Sequence, residues 1–209
     1  MGKEPLRGIR QETERCPQEC WLVSMALGIL VVLLILEFAL RLFLEIRERR
    51  ATQIRGGVFA YLRLVPLLND ITPLPESRRE VSTGAFVEVH EKAHRDLWHG
   101  VLRNLLKVIL LCFAVGLLLF LLVRCEMPWW CAVLYLHLAA IPFRLFFHWY
   151  CWGQEYEADG QAFKVLGKKV AKDAMRELAA SEIPYTPLFA LFYREHPTAA
   201  LRSQKLLNR

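Results

Sequence analysis

Three long apolar blocks, spanning residues 21–46, 101–123 and 129–152, limit what this chain can fold into. Most of the charge lies in the stretches between them. A soluble domain spreads its apolar residues at helix or strand period. Blocks this long, at a helical rise of ~1.5 Å per residue, can instead cross a hydrocarbon core of ~30 Å. The 209-residue chain is 55% hydrophobic yet 23% charged, and the division between blocks accommodates both. The pattern predicts an all-α integral membrane protein with about three transmembrane helices. The first block is too long for the apolar part of a secretory signal and lacks a small-residue cleavage site.

The expected organisation is a polar amino tail (1–20), a first span (21–46), a polar segment (47–100), a second span (101–124), a third span (129–152) and a polar helical segment (153–209). Glu37 and Arg41 interrupt the first span four positions apart, on one helix face where they can pair. The stretch 66–75 contains the prolines of a loop. From about Ser82 the text reads as helix, with no breaker between Phe86 and Val123. Only residues 124–128 separate the second and third spans, which predicts a tight antiparallel hairpin. After Gly153 the text is helical up to Pro184, and a shorter helix starts near Thr198. His137 and Pro142, inside the third span, read as helix packing and a kink. The tryptophans at 129, 130, 149 and 152 read as interfacial anchors.

The chain has 27 Lys+Arg against 21 Asp+Glu. No basic stripe with interleaved aromatics accompanies this excess, so no nucleic-acid partner is expected. The cations read as orientation signals. Nine Lys/Arg lie between Arg47 and Arg95 and nine more after Cys151, against four in the amino tail and one in the hairpin turn. The positive-inside rule then places 47–100 and the carboxyl segment in the cytoplasm. Cys16, Cys20, Cys125 and Cys131 would lie at the opposite face, where one or two disulfides could tie the first span to the hairpin. Cys112 and Cys151 read as free thiols.

The segment Glu88-Val-His90-Glu91-Lys-Ala-His94 contains an HExxH motif. Residues i and i+4 of a helix project in nearly the same direction, so two imidazoles can close on one zinc ion at ~2.0–2.1 Å. Glu91 then sits beside the metal, where it can take a proton from the attacking water and return it to the leaving amine. The five letters alone are weakly specific. Their setting adds to them, because they stand just before a span, on the face assigned to the cytoplasm.

A partner motif follows the third span: Gln154-Glu155-Tyr-Glu157-Ala-Asp159. A catalytic zinc takes three protein ligands, and a carboxylate often supplies the third. Glu155 is the preferred ligand and Glu157 the competitor, since Glu157 points well away from the Asp159 side of the helix. Asp159, one turn beyond Glu155, suits a hydrogen bond to the other ring nitrogen of a ligand histidine. The hairpin returns the chain to the membrane face it left, so residues far apart in sequence can meet there.

These motifs, HEKAH before a membrane hairpin and EYEAD after it, resemble the integral membrane zinc peptidases that include HtpX and the CAAX prenyl proteases. The resemblance covers about residues 86–205. It implies one zinc ion per chain held by His90, His94 and Glu155, with Glu91 as general base and Asp159 supporting a ligand. His196-Pro197-Thr198 with Arg202 is similar to the group's carboxyl-terminal His-Pro segment. That likeness implies catalytic roles for His196 and Arg202, which would orient substrate or stabilise the oxyanion. The chain departs from the group in having Ala93 where glycine is common, in its short or absent strand-rich stretch before HExxH, and in having one span rather than two before the motif. The expected activity is zinc-dependent endoproteolysis of membrane-associated proteins or peptides. Its expected setting, among membrane lipids, is the cytoplasmic membrane of a bacterium or archaeon, with the site facing the cytoplasm.

Other histidines are weaker candidates. His99 lies five residues past His94, well round the helix, and reads as interfacial. His148 lies on the face carrying Glu155 and reads either as part of the cleft or as packing. Two other functions compete with proteolysis. A catalytically inactive membrane adaptor would keep the fold without turnover. A membrane di-iron oxygenase would use Glu91 and His94 as an ExxH, but such sites need a second ExxH or more histidines than the six present.

Overall fold

The computed structural model describes the backbone of residues 12–52, 61–68, 72–74 and 84–208, and the side chains of these except 12–23 and 207. Outside the described residues lie 1–11 of the expected polar tail and much of 53–83. The thiols of Cys16 and Cys20 belong to side chains that are likewise not described. The described part is all-α, with no strand among its residues. Helix α1 spans Glu12–Thr52 and α2 spans Ala85–Asp96. Helix α3, His99–Leu119, is prolonged by a π-helical turn over Phe120–Arg124. Helices α4 (Trp129–Ser181), α5 (Pro187–Tyr193) and α6 (Ala199–Leu207) complete the chain. Three segments are long and apolar enough to cross a membrane: Ser24–Thr52, His99–Arg124 and Trp129–Ser181.

Helices α3 and α4 run antiparallel. Phe113 stacks near Phe143 at mid-height, while Arg103 at the start of α3 reaches Gln154 and Glu155 beyond the apolar part of α4. The polar half of α4 is the spine of the site. Phe86, Ala162, Ala171, Met175 and Leu206 form one buried cluster that docks α2 and α6 on it. A second cluster, with Leu44, Trp152, Ile183, Phe189 and Phe192, fixes α5 between α1 and α4.

The outer face of α1 exposes Val32, Ile35, Leu36 and Phe43, as a lipid-facing surface requires, while its inner face buries Glu37, Arg41, Glu45 and Glu48. Glu37 accepts from Arg41 Nε at 2.7 Å and Nη2 at 2.6 Å, which is the pairing their spacing predicts. His137 Nε2 on α4 lies 2.7 Å from the same carboxylate, so its place is set by a polar contact as well as by packing. Lower on α1, Glu45 accepts from Arg63 at 2.6 Å, and Glu48 accepts from the N–H and hydroxyl of Thr186 at the start of α5.

Several expectations need correction. The helical text from Phe86 to Val123 is broken after Asp96. Leu97 and Trp98 donate back to the carbonyls of Ala93 and Arg95, closing α2, and Trp98 adopts a left-handed conformation (φ 58°). A left-handed residue cannot continue the helix, so α3 starts along a new direction. The helix expected to run up to Pro184 is interrupted at Gly167 (φ 82°), where the absence of a Cβ removes the steric penalty. Cys125 and Cys131 are both free thiols, so neither ties the hairpin to α1. Helix α5 forms after Pro184, in a stretch read as non-helical, with Pro187 opening its first turn.

Candidate metal centre

Helix α2 places His90 and His94 one turn apart, and their rings meet edge to face with centroids 4.7 Å apart. Glu155 and Asp159 are likewise one turn apart on α4, only 2% and 1% exposed. Burying two carboxylates so completely is costly unless they meet cations or donors. Here they do.

His90 Nε2 and His94 Nε2 are 3.1 Å apart, and each lies 3.4 Å from an oxygen of Glu155. Two nitrogens, each ~2.0–2.1 Å from one ion at a tetrahedral angle, stand about 3.3 Å apart. The three groups therefore fit a single divalent cation without rearrangement, and two imidazoles with a carboxylate is a donor set that catalytic zinc uses. Among the described residues they are the one group of three or more His, Cys, Asp or Glu whose ligand atoms converge. A di-iron centre would need a second such group.

Each ligand is oriented from behind. His90 Nδ1 lies 3.0 Å from Asp159 Oδ1, which leaves Nε2 to face the cluster. Asp159 in turn accepts from Arg202 Nε at 2.9 Å and Nη2 at 2.6 Å. Burial alone would lower the pKa of His90, but its hydrogen bonds to Asp159 and Glu155 outweigh that effect and raise it above the usual histidine range. Burial also disfavours the Arg202 cation, yet the Asp159 carboxylate holds its pKa above the ordinary value.

His94 has its own support. Its Nδ1 is 2.8 Å from His99 Nδ1, and His99 Nε2 is 3.4 Å from Glu157. His99 is only 3% exposed and touches His94, so it is not on the far side of that residue as helical counting expects. The break at Trp98 swings it back toward the motif. Glu157, the competing ligand, is spent on His99 and is more than half exposed.

Two further residues act on Glu155. Arg103 Nη2 donates to its Oε1 at 2.9 Å, while Arg103 Nε donates to Gln154 at 2.6 Å. His196, in the loop between α5 and α6, places Nδ1 3.1 Å from the same oxygen and keeps its side chain 55% exposed. Glu91 is exposed on α2, one residue on from His90. Arg202 has Nε and Nη2 committed to Asp159, and its Nη2 also lies 3.5 Å from His90 Nδ1, so it backs His90 both through that carboxylate and directly. His148 is buried with Nδ1 on the carbonyl of Leu191, a packing position rather than part of the cluster. The structure thus brings together His90, His94, Glu155, Asp159, His196 and Arg202, and adds Arg103 and His99, which sequence reasoning missed.

No curated protein and no solved structure matches the chain. A family model does: that of Peptidase family M48 matches residues 63–209, a span that takes in HEKAH, the Glu155–Asp159 turn, His196 and Arg202. Covering more than half of the chain and every residue of the cluster, the match establishes that this chain belongs to peptidase family M48.

Proposed function

We propose that this chain is a membrane-embedded zinc metalloendopeptidase that cleaves membrane-associated proteins or peptides at the cytoplasmic face. The carrying observation is the convergence of His90, His94 and Glu155 at separations of 3.1–3.4 Å, in a family whose peptidases depend on zinc. His90, His94 and Glu155 would hold the ion. When bound, zinc would polarise the scissile carbonyl and bring the pKa of the attacking water down to ~7.

Glu91 stands about 100° round α2 from His90, beside the cluster rather than in it. It is the group to take the water's proton and deliver it to the leaving amine. His196 is exposed on one side and tethered to Glu155 on the other, so it can donate to the developing oxyanion. Arg202 is a positioning residue, since it fixes Asp159 and through it His90. Arg103 holds Glu155 in place against its neighbours. The excess of Lys/Arg in 47–95 and after Cys151 supports the cytoplasmic assignment, and the three long apolar helices support the membrane setting.

The test is cleavage of an unfolded polypeptide by the full-length protein purified in detergent. Cleavage that a chelator abolishes and stoichiometric zinc restores is the expected result. Zinc binding without any turnover would favour the inactive adaptor instead.

A further inference from the structure

A groove of about 570 Å³ opens beside the metal cluster, between the start of α3 and the stretch of α4 where its apolar and polar halves meet. Its walls are largely apolar, with Leu97, Leu102, Trp149, Trp152 and Tyr156 among them. His99 is also in the wall, and its Nδ1 is 2.8 Å from that of His94. One imidazole therefore separates the groove from a candidate metal ligand.

Gln154, immediately before Glu155, belongs to the same wall and is only 5% exposed. Its Oε1 accepts from Arg103 Nε at 2.6 Å, which fixes the orientation of the amide. Its Nε2 is then a buried donor with no partner among the described residues. Native proteins seldom leave such a donor unpaired, and one placed in the wall of a groove calls for an acceptor from outside. Glu157 and Lys205 both line the groove, so its charges are of both signs and the rest of its wall is mostly apolar, a setting that suits a neutral acceptor better than an ion. A neutral carbonyl beside an apolar group is the chemistry of a peptide unit and its side chain.

We infer that this groove is a substrate subsite: it takes one aliphatic or aromatic side chain of the bound polypeptide, while Gln154 Nε2 donates to a main-chain carbonyl of the same segment. The inference rests on the proteolytic reading above and adds a specificity to it. Only the His99 ring and its 2.8 Å contact separate the groove from His94, so at ~3.3 Å per residue of extended chain the seated side chain lies within about three residues of the cleaved bond.

Two measurements on the full-length protein in detergent test it. The first maps cleavage sites in a library of proteome-derived peptides by mass spectrometry. The expected profile is enrichment of Leu, Ile, Phe or Trp at one fixed position within three residues of the cut. Leu102→Trp, which narrows the groove from an exposed position, is expected to replace that preference with Gly, Ala or Ser while leaving zinc content unchanged. The second measures binding of a fluorescein-labelled peptide carrying a single Leu in an Ala/Ser background to the Glu91→Gln protein. Adding Gln154→Glu keeps the acceptor for Arg103 but removes the donor, and is expected to weaken binding about tenfold, the scale of one lost hydrogen bond. A flat cleavage profile, a profile unmoved by Leu102→Trp, or undiminished binding after Gln154→Glu would each overturn the subsite. If the labelled peptide binds but nothing is cleaved, the proteolytic reading fails, and the effects of Leu102→Trp and Gln154→Glu on binding still decide the groove.

Discussion

Arg202 closes on Asp159 with Nε at 2.9 Å and Nη2 at 2.6 Å, and the carboxylate so held lies 3.0 Å from His90 Nδ1. Three residues from α6, α4 and α2 thus form one line ending at a candidate metal ligand. Asp159→Asn keeps the shape but loses the charge that orients the imidazole. Zinc affinity, measured by competition with a chromophoric chelator, is expected to fall about 10–100-fold, the usual cost of losing such a support. Arg202→Leu is expected to move in the same direction.

Glu91 is proposed as the proton carrier and makes no part of the His90, His94 and Glu155 cluster. Glu91→Gln is expected to bind zinc as the parent protein does and to lose roughly 10²–10⁴ in kcat, the range for a general acid–base group. Elemental analysis and a cleavage assay on one preparation check both halves. Turnover retained in that variant would remove Glu91 from the mechanism.

Glu37, Arg41 and His137 form a buried ionic knot between α1 and α4. Glu37→Leu leaves Arg41 buried without its carboxylate, and breaking a buried pair costs about 3–5 kcal/mol. Replacing all three with apolar residues of similar size removes the charges together, and is expected to recover most of that loss. Denaturant titration of the purified variants reads the difference. A triple variant weaker than Glu37→Leu would show that the knot does more than compensate its own burial.

His99 supports His94 as Asp159 supports His90, through a 2.8 Å contact between their Nδ1 atoms. A neutral His94 that faces the cluster with Nε2 carries its proton on Nδ1 and donates it to His99. His99→Phe keeps the volume and deletes the acceptor. It is expected to weaken zinc binding about tenfold, at the low end for such outer groups, whereas His148→Phe, remote from the cluster, leaves zinc binding unchanged.

The parts of this site legible in the sequence are those with a fixed local period. His90 with His94, and Glu155 with Asp159, each lie four apart on a helix, and the hairpin of α3 and α4 supplies the geometry that joins them. His99 was illegible because its place depends on one left-handed residue. Trp98 carries no glycine or proline to announce the break, and helical counting across it sends His99 the wrong way. Gly167 breaks α4 within text read as continuous helix up to Pro184, because a single glycine does not by itself announce a positive φ. Arg103 did leave a signal. A lone arginine two residues inside an apolar block asks for a partner, and that partner is Glu155. Helix α5 is held by Glu48 and by packing on Leu44 and Trp152, partners from distant parts of the chain that no local window contains.

The fold-back of α4 brings Glu155 to the imidazoles of His90 and His94, and the proposed function needs these three to hold one ion. X-ray absorption at the zinc edge, on the full-length protein and on Glu155→Ala, measures this most directly. One zinc per chain is expected in the parent protein, with two imidazole nitrogens and a carboxylate oxygen at ~2.0–2.2 Å, and one protein ligand fewer in Glu155→Ala. A zinc shell unchanged by that substitution, or no bound zinc in the parent protein, would contradict it.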